Sequence, residues 1–233
     1  PFSCADPPAT DVLQGLLRKP GVWVASYLLE PDETHAANCF WYVCRDAEYE
    51  MGKIKKRTRA AIRRGLQSLE VRLCTCDELA ARGYAAYADT DERHGYPRPR
   101  AEQFRRYVET VRARQRFLDI WGAWSGDELA AYLTILKVDD WALYEAAKSA
   151  TGHLASSPNN ALYYLSTRWL LVNEKRTWVS SGLSTVQVGV APLSLHQFKV
   201  RMGHEAVPLR RAFRLHWMLK PLLGTHSAEW MWQ

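Results

Sequence analysis

The alternation of apolar and polar positions divides the chain into short strands and amphipathic helices. Apolar and aromatic runs at 21–31 and 39–45 predict two strands that pair with each other across a charged turn. Residues 48–69 carry apolar side chains at helical spacing and predict a helix, which a short strand at 70–74 follows. The polar, proline-punctuated residues 1–20 predict an irregular lead-in.

The middle of the chain predicts two helices and then a strand meander. Residues 76–95 form one helix with Asp77 as its N-cap, and residues 101–115 form the next. Residues 116–150 predict three strands joined by turns. The remaining segments are a loop at 151–160, a helix opened by Pro158 and capped by Ser156 or Ser157, a strand at 177–182, a loop at 183–192, a helix ended by Gly203, a strand at 205–216 and a helical turn at 217–223.

The order of these elements sets the fold class. From residue 70 onwards the predicted order is β-α-α-β-β-β-α-β-α-β, which favours an α/β or α+β fold with a mixed, mostly antiparallel sheet and helices on both faces. We predict one domain over 48–233. Residues 1–47 form an N-terminal extension that is too short for a core of its own.

Composition narrows the functional classes. The chain has 233 residues, of which 47% are hydrophobic, so it can bury a sizeable core. Five cysteines, an odd number, predict reduced thiols and a cytoplasmic location, and the seven histidines form no cluster that predicts a metal site. No apolar run approaches the ~18 residues of a membrane span. The net charge of +6 is compatible with a polyanionic partner.

The positive charge is concentrated in the helix predicted at 48–69. No acidic residue occurs at positions 51–69. Such a helix could bind the phosphate backbone of a tRNA, and the alternative is a solvated helix face. Its basic residues are Lys53, Lys55, Lys56, Arg57, Arg59, Arg63 and Arg64.

Three stretches resemble GNAT acyltransferases of the Fem type (FemABX-like), together with the acetyltransferase-like proteins grouped with them. "KIKKRTRAAIRRGLQSLEVRL" is similar to the basic segment that opens their second domain. "SSPNNALYYLSTRWLL" is similar to their Ser-Pro-Asn helix start, and "SLHQFKVRMGHEAVPL" to their Phe-Lys-x-x-x-Gly-x-x-x-x-Pro segment. The three stretches occur in the family's order and extend over about residues 40–215.

The resemblance implies a single GNAT-like domain that transfers an acyl group to an amine. Fem-type members take an aminoacyl group from aminoacyl-tRNA, whereas related GNAT proteins use acyl-CoA. In the Fem type, the Phe-Lys pair lies by the donor end, and its counterparts here are Phe198 and Lys199. The acetyl-CoA fingerprint Q/R-x-x-G-x-G/A is missing, because "KSATGHLASSPN" has only Gly152 at that place. Residues 1–50 cannot form the first domain that Fem transferases carry.

The predicted site residues follow from this chemistry. Lys199 could stabilise the oxyanion of the transfer or neutralise a donor phosphate, and the alternative is a solvated lysine on a core helix. Glu145 could accept the proton of the attacking amine, or face water. Phe198 shares an apolar stripe with Leu195 and Met202 and therefore also reads as a core residue.

Two groups of polar residues complete the predicted site. The first stands at a helix start, where free N–H groups suit a donor phosphate or carboxylate and where plain capping is the alternative; it consists of Ser156, Ser157, Asn159 and Asn160. The second joins two helices where GNAT enzymes shape the acceptor pocket; it consists of Asp91, Glu92 and His94.

The sequence therefore predicts an enzyme that moves an aminoacyl group from aminoacyl-tRNA to an amine acceptor by direct attack. The co-substrate is expected to be aminoacyl-tRNA, with no tightly bound cofactor and no metal. The first alternative is an acyl-CoA-dependent N-acyltransferase. The second is a non-catalytic RNA-binding protein on a GNAT-like fold.

Overall fold

The computed structural model describes residues 8–33, 36–184 and 193–219, with the backbone alone for Ser184 and Leu193. The α-helices in these segments are α1 (Thr10–Leu17), α2 (Lys56–Ser68), α3 (Cys76–Arg82), α4 (Tyr84–Arg93), α5 (Ala101–Ala113), α6 (Pro158–Arg168) and α7 (Leu193–Arg201). The strands are β1 (Val24–Leu29), β2 (Cys39–Cys44), β3 (Glu70–Leu73), β4 (Leu118–Ser125), β5 (Glu128–Val138), β6 (Trp141–Ser149), β7 (Trp178–Ser184) and β8 (Glu205–Leu215). Within these segments no helix has the length and apolar character that crossing a bilayer requires.

The chain divides into two compact units. The larger unit contains residues 42–182 and 197–205, and the smaller unit contains the described parts of 1–41, 183–196 and 206–233. The predicted division of the chain at residue 47 stays a prediction.

The larger unit is built on a mixed sheet of strand order β7-β6-β5-β4-β3. The three pairs from β3 to β6 are antiparallel, and β6 pairs with β7 in parallel. The turns of the β4-β5-β6 meander fall at Gly126 and Asp139, which both have positive φ. The predicted meander and the mixed, mostly antiparallel sheet are confirmed.

Helices cover both faces of this sheet, as predicted. On the first face, α2 and α6 bury a core that includes Ile62 and Leu162 against Leu133. On the second face, α3, α4 and α5 bury a separate core that includes Leu79 and Phe104. Each helix buries its apolar stripe, so the helical spacing of the sequence matches the two-face arrangement.

The parallel pairing of β6 with β7 is short. It joins Trp141–Leu143 to Trp178–Ser180, whereas β6 continues to Ser149. At the same place β6 has a bulge, because Tyr144 pairs with Ile135 and Ala146 with Thr134, which leaves Glu145 as the extra residue. The pairing between β6 and β7 therefore stops directly before Tyr144, and we call this place the strand opening.

The predicted helix over 76–95 is wrong as a single element. It breaks at Gly83 into α3 and α4, and a Cβ at Gly83 would lie 2.7 Å from the Leu79 carbonyl oxygen and 3.0 Å from the Phe104 ring. The N-cap is Thr75 rather than Asp77. The Thr75 hydroxyl accepts a bond from the Glu78 N–H, and the Glu78 carboxylate accepts one from the Thr75 N–H.

The smaller unit corrects two predictions for the start of the chain. Residues 10–17 form the helix α1 rather than part of an irregular lead-in, and Leu13 is its buried residue. The strand β1 pairs with β8 rather than with β2, in an antiparallel register that sets Val24 opposite Leu215. Most of the predicted loop at 183–192 and most of the final helical turn lie outside the described residues.

Candidate active site

The turn after α7 holds the Phe-Lys segment in place. Gly203 has φ of +88°, and a Cβ on it would lie 3.0 Å from the Tyr49 ring. The Tyr49 hydroxyl donates a 2.7 Å hydrogen bond to the Met202 carbonyl oxygen. The predicted helix stop at Gly203 is therefore confirmed, and glycine is required there for both conformation and space.

Lys199 is a buried cation. The residue is only 5% exposed, and its ammonium nitrogen lies 4.5 Å from the centre of the Tyr42 ring. Burial lowers the pKa of Lys199 to about 8. Among the described residues no carboxylate forms an ion pair with it. Because this pKa still lies above 7, the ammonium form predominates at neutral pH.

The neighbours of Lys199 on the same helix divide between core and surface. The Phe198 ring meets the Tyr163 ring edge to face, with 4.9 Å between the centroids, and Met202 is fully buried. Leu195, predicted on the same stripe, is instead exposed. Phe198 therefore serves packing, and its predicted role in donor binding stays a prediction.

His204 is a second buried polar residue beside Lys199, and sequence reasoning missed it. Its backbone N–H donates to the Lys199 carbonyl oxygen at 3.2 Å. The imidazole is 2% exposed, and both ring nitrogens lack a hydrogen-bond partner among the described residues. Burial, together with the charge of Lys199, lowers the pKa of His204 to about 3, so the ring is neutral at pH 7. Its place directly after the helix-stopping glycine was the available signal.

Two tyrosines place these groups beside the strand opening. The His204 ring centroid lies 6.2 Å from that of Tyr144 and 6.3 Å from that of Tyr163. The Tyr144 hydroxyl is 2.7 Å from the hydroxyls of Ser166 and Thr167 on α6. Because Tyr144 is the first residue of β6 beyond the pairing with β7, Lys199 and His204 belong to the neighbourhood of the opening.

The start of α6 lies next to the same neighbourhood, because the Asn160 amide contacts the Met202 sulfur at 3.6 Å. Ser157 is the N-cap in a left-handed conformation, and its hydroxyl accepts no bond from the helix, so the predicted capping by Ser157 is wrong. Ser156 is instead the last residue of a 3-10 helix, Thr151–Ser156, that precedes α6. Asn159 donates to the Ser149 hydroxyl at 3.3 Å, while its own amide oxygen is buried without a partner in the described chain.

Helix α2 packs closely against the start of α6. A Cβ on Gly65 would lie 2.7 Å from the Ala161 Cβ and 2.9 Å from the Ser157 carbonyl oxygen. Residues Thr58 and Ile62 are buried on the same side, which confirms the predicted apolar stripe.

The basic residues of this segment lie on its outer side. All are exposed except the half-buried Arg59. Lys53 is held by Asp46 at 2.8 Å and Glu48 at 3.3 Å, and Arg64 donates to the Ala155 carbonyl oxygen at 3.4 Å. The described residues offer no ion-pair partner to the remaining cations, which are Lys55, Lys56, Arg57, Arg59 and Arg63.

Glu145 lies on the second face of the sheet. Both of its carboxylate oxygens accept bonds from Arg114, which follows α5, at 2.5 and 3.1 Å. Tyr144 faces α6, and Glu145, the next residue along β6, points to the opposite face of the sheet, as successive residues of a strand do. The structure therefore does not bring Glu145 to Lys199, and its role as a base stays a prediction.

The predicted acceptor residues also belong to the second face, on α4 and at its end. Asp91 is paired with Lys148 of β6 at 2.6 Å, and Glu92 is paired with Arg98. His94 is the exposed C-cap of α4. These partners account for the charges of both carboxylates, and the predicted role in acceptor binding stays a prediction.

Comparisons with solved structures identify the fold. The chain is similar to FemX with a TM-score of 0.62 and 11% identity, over 92% of this chain and 71% of that one. It is similar to the C-terminal domain of a putative lysylphosphatidylglycerol synthetase from Agrobacterium fabrum, with a TM-score of 0.56 and 8% identity, over 88% of this chain and 66% of that one.

A third similar structure is a tandem GNAT protein from the clavulanic acid biosynthesis pathway, with a TM-score of 0.53 and 11% identity, over 83% of this chain and 63% of that one. The chain thus spans about two thirds of the length of these proteins. No protein-family model and no curated protein sequence matches it. The two-faced mixed sheet, the strand opening and these similarities together show that this chain has a FemX-like, GNAT-type fold.

Proposed function

We propose that this protein is an acyltransferase that moves an aminoacyl group from aminoacyl-tRNA to an amine acceptor. The observation that carries the proposal is the buried ammonium of Lys199, which has no carboxylate partner in the described chain. An ammonium that loses its hydration without gaining a counter-ion costs several kcal/mol. Such a cost is understandable where a negative charge arrives during the working cycle.

Acyl transfer to an amine supplies this negative charge. The amine nitrogen attacks the ester carbonyl carbon, a C–N bond forms, and the carbonyl electrons move to the oxygen. When these electrons return, the bond to the ribose oxygen breaks, and the proton lost by the nitrogen ends on that oxygen. A cation beside the transient oxyanion lowers the barrier by about 3–4 kcal/mol. In this proposal that cation is Lys199.

His204 supplies a second interaction with the same oxygen. A neutral imidazole carries one N–H donor, and both ring nitrogens of His204 are buried without partners in the described residues. Leaving a buried polar group unsatisfied costs about 1–3 kcal/mol. In the proposed complex the N–H of His204 donates to the carbonyl oxygen, so that Lys199 and His204 stabilise the oxyanion together.

The outer side of α2 supports aminoacyl-tRNA as the donor. Its cations have no ion-pair partner in the described part of the chain, and its inner side packs against the start of α6. The phosphodiester backbone of RNA binds such surfaces through electrostatic attraction and the release of counter-ions. A cytoplasmic location is part of the proposal, because charged tRNA is found there.

An acyl-CoA donor is the second candidate. The observation that favours it is the start of α6, where the Ser157 hydroxyl caps no helix N–H group and the Asn159 amide oxygen has no partner among the described residues. The positive end of a helix dipole suits the phosphates of coenzyme A.

A transfer assay with both donors tests the proposal. The purified chain is incubated with charged tRNA or with acetyl-CoA, together with a panel of amines, and the transferred label is measured for the wild type and for Lys199→Ala. Transfer from charged tRNA that the substitution abolishes supports the proposal. Transfer from acetyl-CoA alone replaces the donor, and tRNA binding without transfer from either donor makes the chain a non-catalytic RNA-binding protein.

A further inference from the structure

The smaller unit contains a cavity of about 350 Å³ that the proposed transfer does not use. It lies between α1 and the end of β8. Its apolar wall comes from Leu13 and Leu17 on the helix and from Leu215 on the strand. Because all of its lining residues belong to the smaller unit, the cavity is a feature of that unit alone.

Two arginines also line this cavity, Arg18 from the helix and Arg214 from the strand. Neither has a carboxylate partner in the described part of the chain. Arg18 is the C-cap of α1, where the helix dipole favours a cation. Two guanidinium groups around one cavity with an apolar wall suit a ligand that combines an anionic group with hydrocarbon.

Large apolar side chains stand exposed around the same end of the unit. Trp217 is 71% exposed, Met218 is 50% exposed and Trp23 is 49% exposed. They are neighbours, since the His216 ring lies 5.4 Å from Trp23 and 5.7 Å from Trp217. Exposed tryptophans next to arginines are typical of side chains that sit at a membrane–water interface.

We propose that the smaller unit binds an anionic phospholipid at a membrane surface. The phosphate lies between Arg18 and Arg214, and the first part of an acyl chain contacts the leucines of the cavity wall. The tryptophans enter the headgroup region beside it. The proposal is independent of the transfer reaction.

A nucleic acid would also bring phosphates to the arginines. The exposed tryptophans suit either ligand, since bases also stack on them, but the outer side of α1 exposes Val12 and Leu16 as well. These two side chains are aliphatic and offer neither stacking nor charge to a nucleic acid, and the lipid is therefore favoured. The transfer of these side chains from water into a headgroup layer is favourable, because it removes apolar surface from water.

Vesicle sedimentation of the full chain tests the proposal. We expect binding to phosphatidylcholine vesicles that contain phosphatidylglycerol and much weaker binding to phosphatidylcholine alone. Arg18→Gln and Arg214→Gln each weaken binding about fivefold. The matched control, Arg105→Gln, removes an exposed arginine from α5 in the larger unit and leaves binding unchanged. Trp217→Ala weakens binding with the charge unaltered.

Several results would overturn the proposal. Equal binding to both kinds of vesicle excludes an anionic lipid, and an equal loss in Arg105→Gln reduces the effect to overall charge. Displacement of the vesicles by inorganic phosphate, or by tRNA with the same dependence on Arg18 and Arg214, assigns the cavity to another ligand. Thermal unfolding of each variant confirms that it is folded. Because no transfer is measured, failure here and failure of the proposed enzyme activity are separate outcomes.

Discussion

The two faces of the sheet in the larger unit treat charge in opposite ways. On the second face, Lys148 is paired with Asp91, and Arg114 holds Glu145. On the first face, Lys199 is more deeply buried than either of these cations and has no ion pair among the described residues. The most deeply buried of these three cations, Lys199, is thus the one that lacks an ion-pair partner among the described residues.

This difference separates structural charge from functional charge. In a partly buried ion pair, the attraction between the two charges offsets the cost of their desolvation. The charges of the second face therefore need no explanation beyond the stability of the fold. An uncompensated buried ammonium lowers stability, and its presence calls for an explanation outside the folded chain. The following predictions test whether the contrast between the two faces is one of function.

The largest expected effect comes from replacing each lysine by methionine. Lys199→Met lowers transfer about 10²–10³-fold, because the oxyanion loses its cation, and it raises the free energy of unfolding by about 1–3 kcal/mol. Lys148→Met lowers the free energy of unfolding by about 1–2 kcal/mol, because Asp91 loses its partner. Chemical denaturation and a transfer assay measure both. A loss of stability in Lys199→Met would show that Lys199 is structural.

The second prediction concerns the pH dependence of stability. The folded chain binds the Lys199 proton with a pKa of about 8, whereas the unfolded chain binds it with the usual pKa of 10.5. Between these values the unfolded state holds more protons, so Lys199 makes the free energy of unfolding rise with pH. The full difference corresponds to about 3 kcal/mol.

The reference for this measurement is Lys199→Met. Burial raises the pKa of several tyrosines and cysteines, such as Tyr49 and Cys74, and these groups change stability in the opposite direction at alkaline pH. They cancel in the difference between the wild type and the variant. We expect that difference to shift in favour of the wild type from about pH 8 to about pH 10. A constant difference would contradict the lowered pKa.

The third prediction separates two replacements of His204. His204→Leu removes the unsatisfied ring, so it preserves or raises stability while kcat falls about tenfold or more. His204→Gln keeps an N–H donor and recovers part of kcat. KM changes little in either variant if the interaction forms only in the transition state. Equal kcat in both variants and the wild type would remove His204 from the proposed mechanism.

The smallest effect is expected at α2. Arg57→Gln and Arg63→Gln each weaken tRNA binding a few-fold. Each also reduces the slope of log K against log salt concentration by about one, the amount that corresponds to one lost phosphate contact. The matched control is Arg112→Gln on α5, whose side chain is paired with Asp77 at 2.8 Å on the second face. An unchanged salt slope in the α2 variants, measured by titration at several salt concentrations, would leave the basic side of α2 solvated rather than bound.

The sequence predicted most of the larger unit because its helices and strands follow local rules. The glycine after α7 specifies the end of its helix, and the apolar stripe of α2 specifies a helix, although α2 begins at Lys56 rather than at the predicted residue 48. The helix break at Gly83 was missed, since it depends on the close approach of Phe104, which lies about twenty residues further along the chain. The pairing of β1 with β8 depends on residues separated by almost the whole chain.

The site was only partly predictable for the same physical reason. Lys199 was identified by its place in a short segment. That it is buried without a carboxylate partner among the described residues depends on the packing of distant segments around it. Glu145 was chosen for its position on a strand, but it lies on the face of the sheet opposite Tyr144, where Arg114 binds it. The sequence marks His204 only by its place after Gly203, and the absence of hydrogen-bond partners for its ring among the described residues is visible only in three dimensions.

The glycine contact between α2 and α6 has a mechanical consequence. With no side chain at Gly65, the two helix backbones touch, and no soft layer separates them. A polyanion bound to the outside of α2 would therefore act on the start of α6 through a direct contact at Ser157 and Ala161. In the proposed reaction, binding of the tRNA to α2 and positioning of its aminoacyl end beside α6 would then occur in one movement.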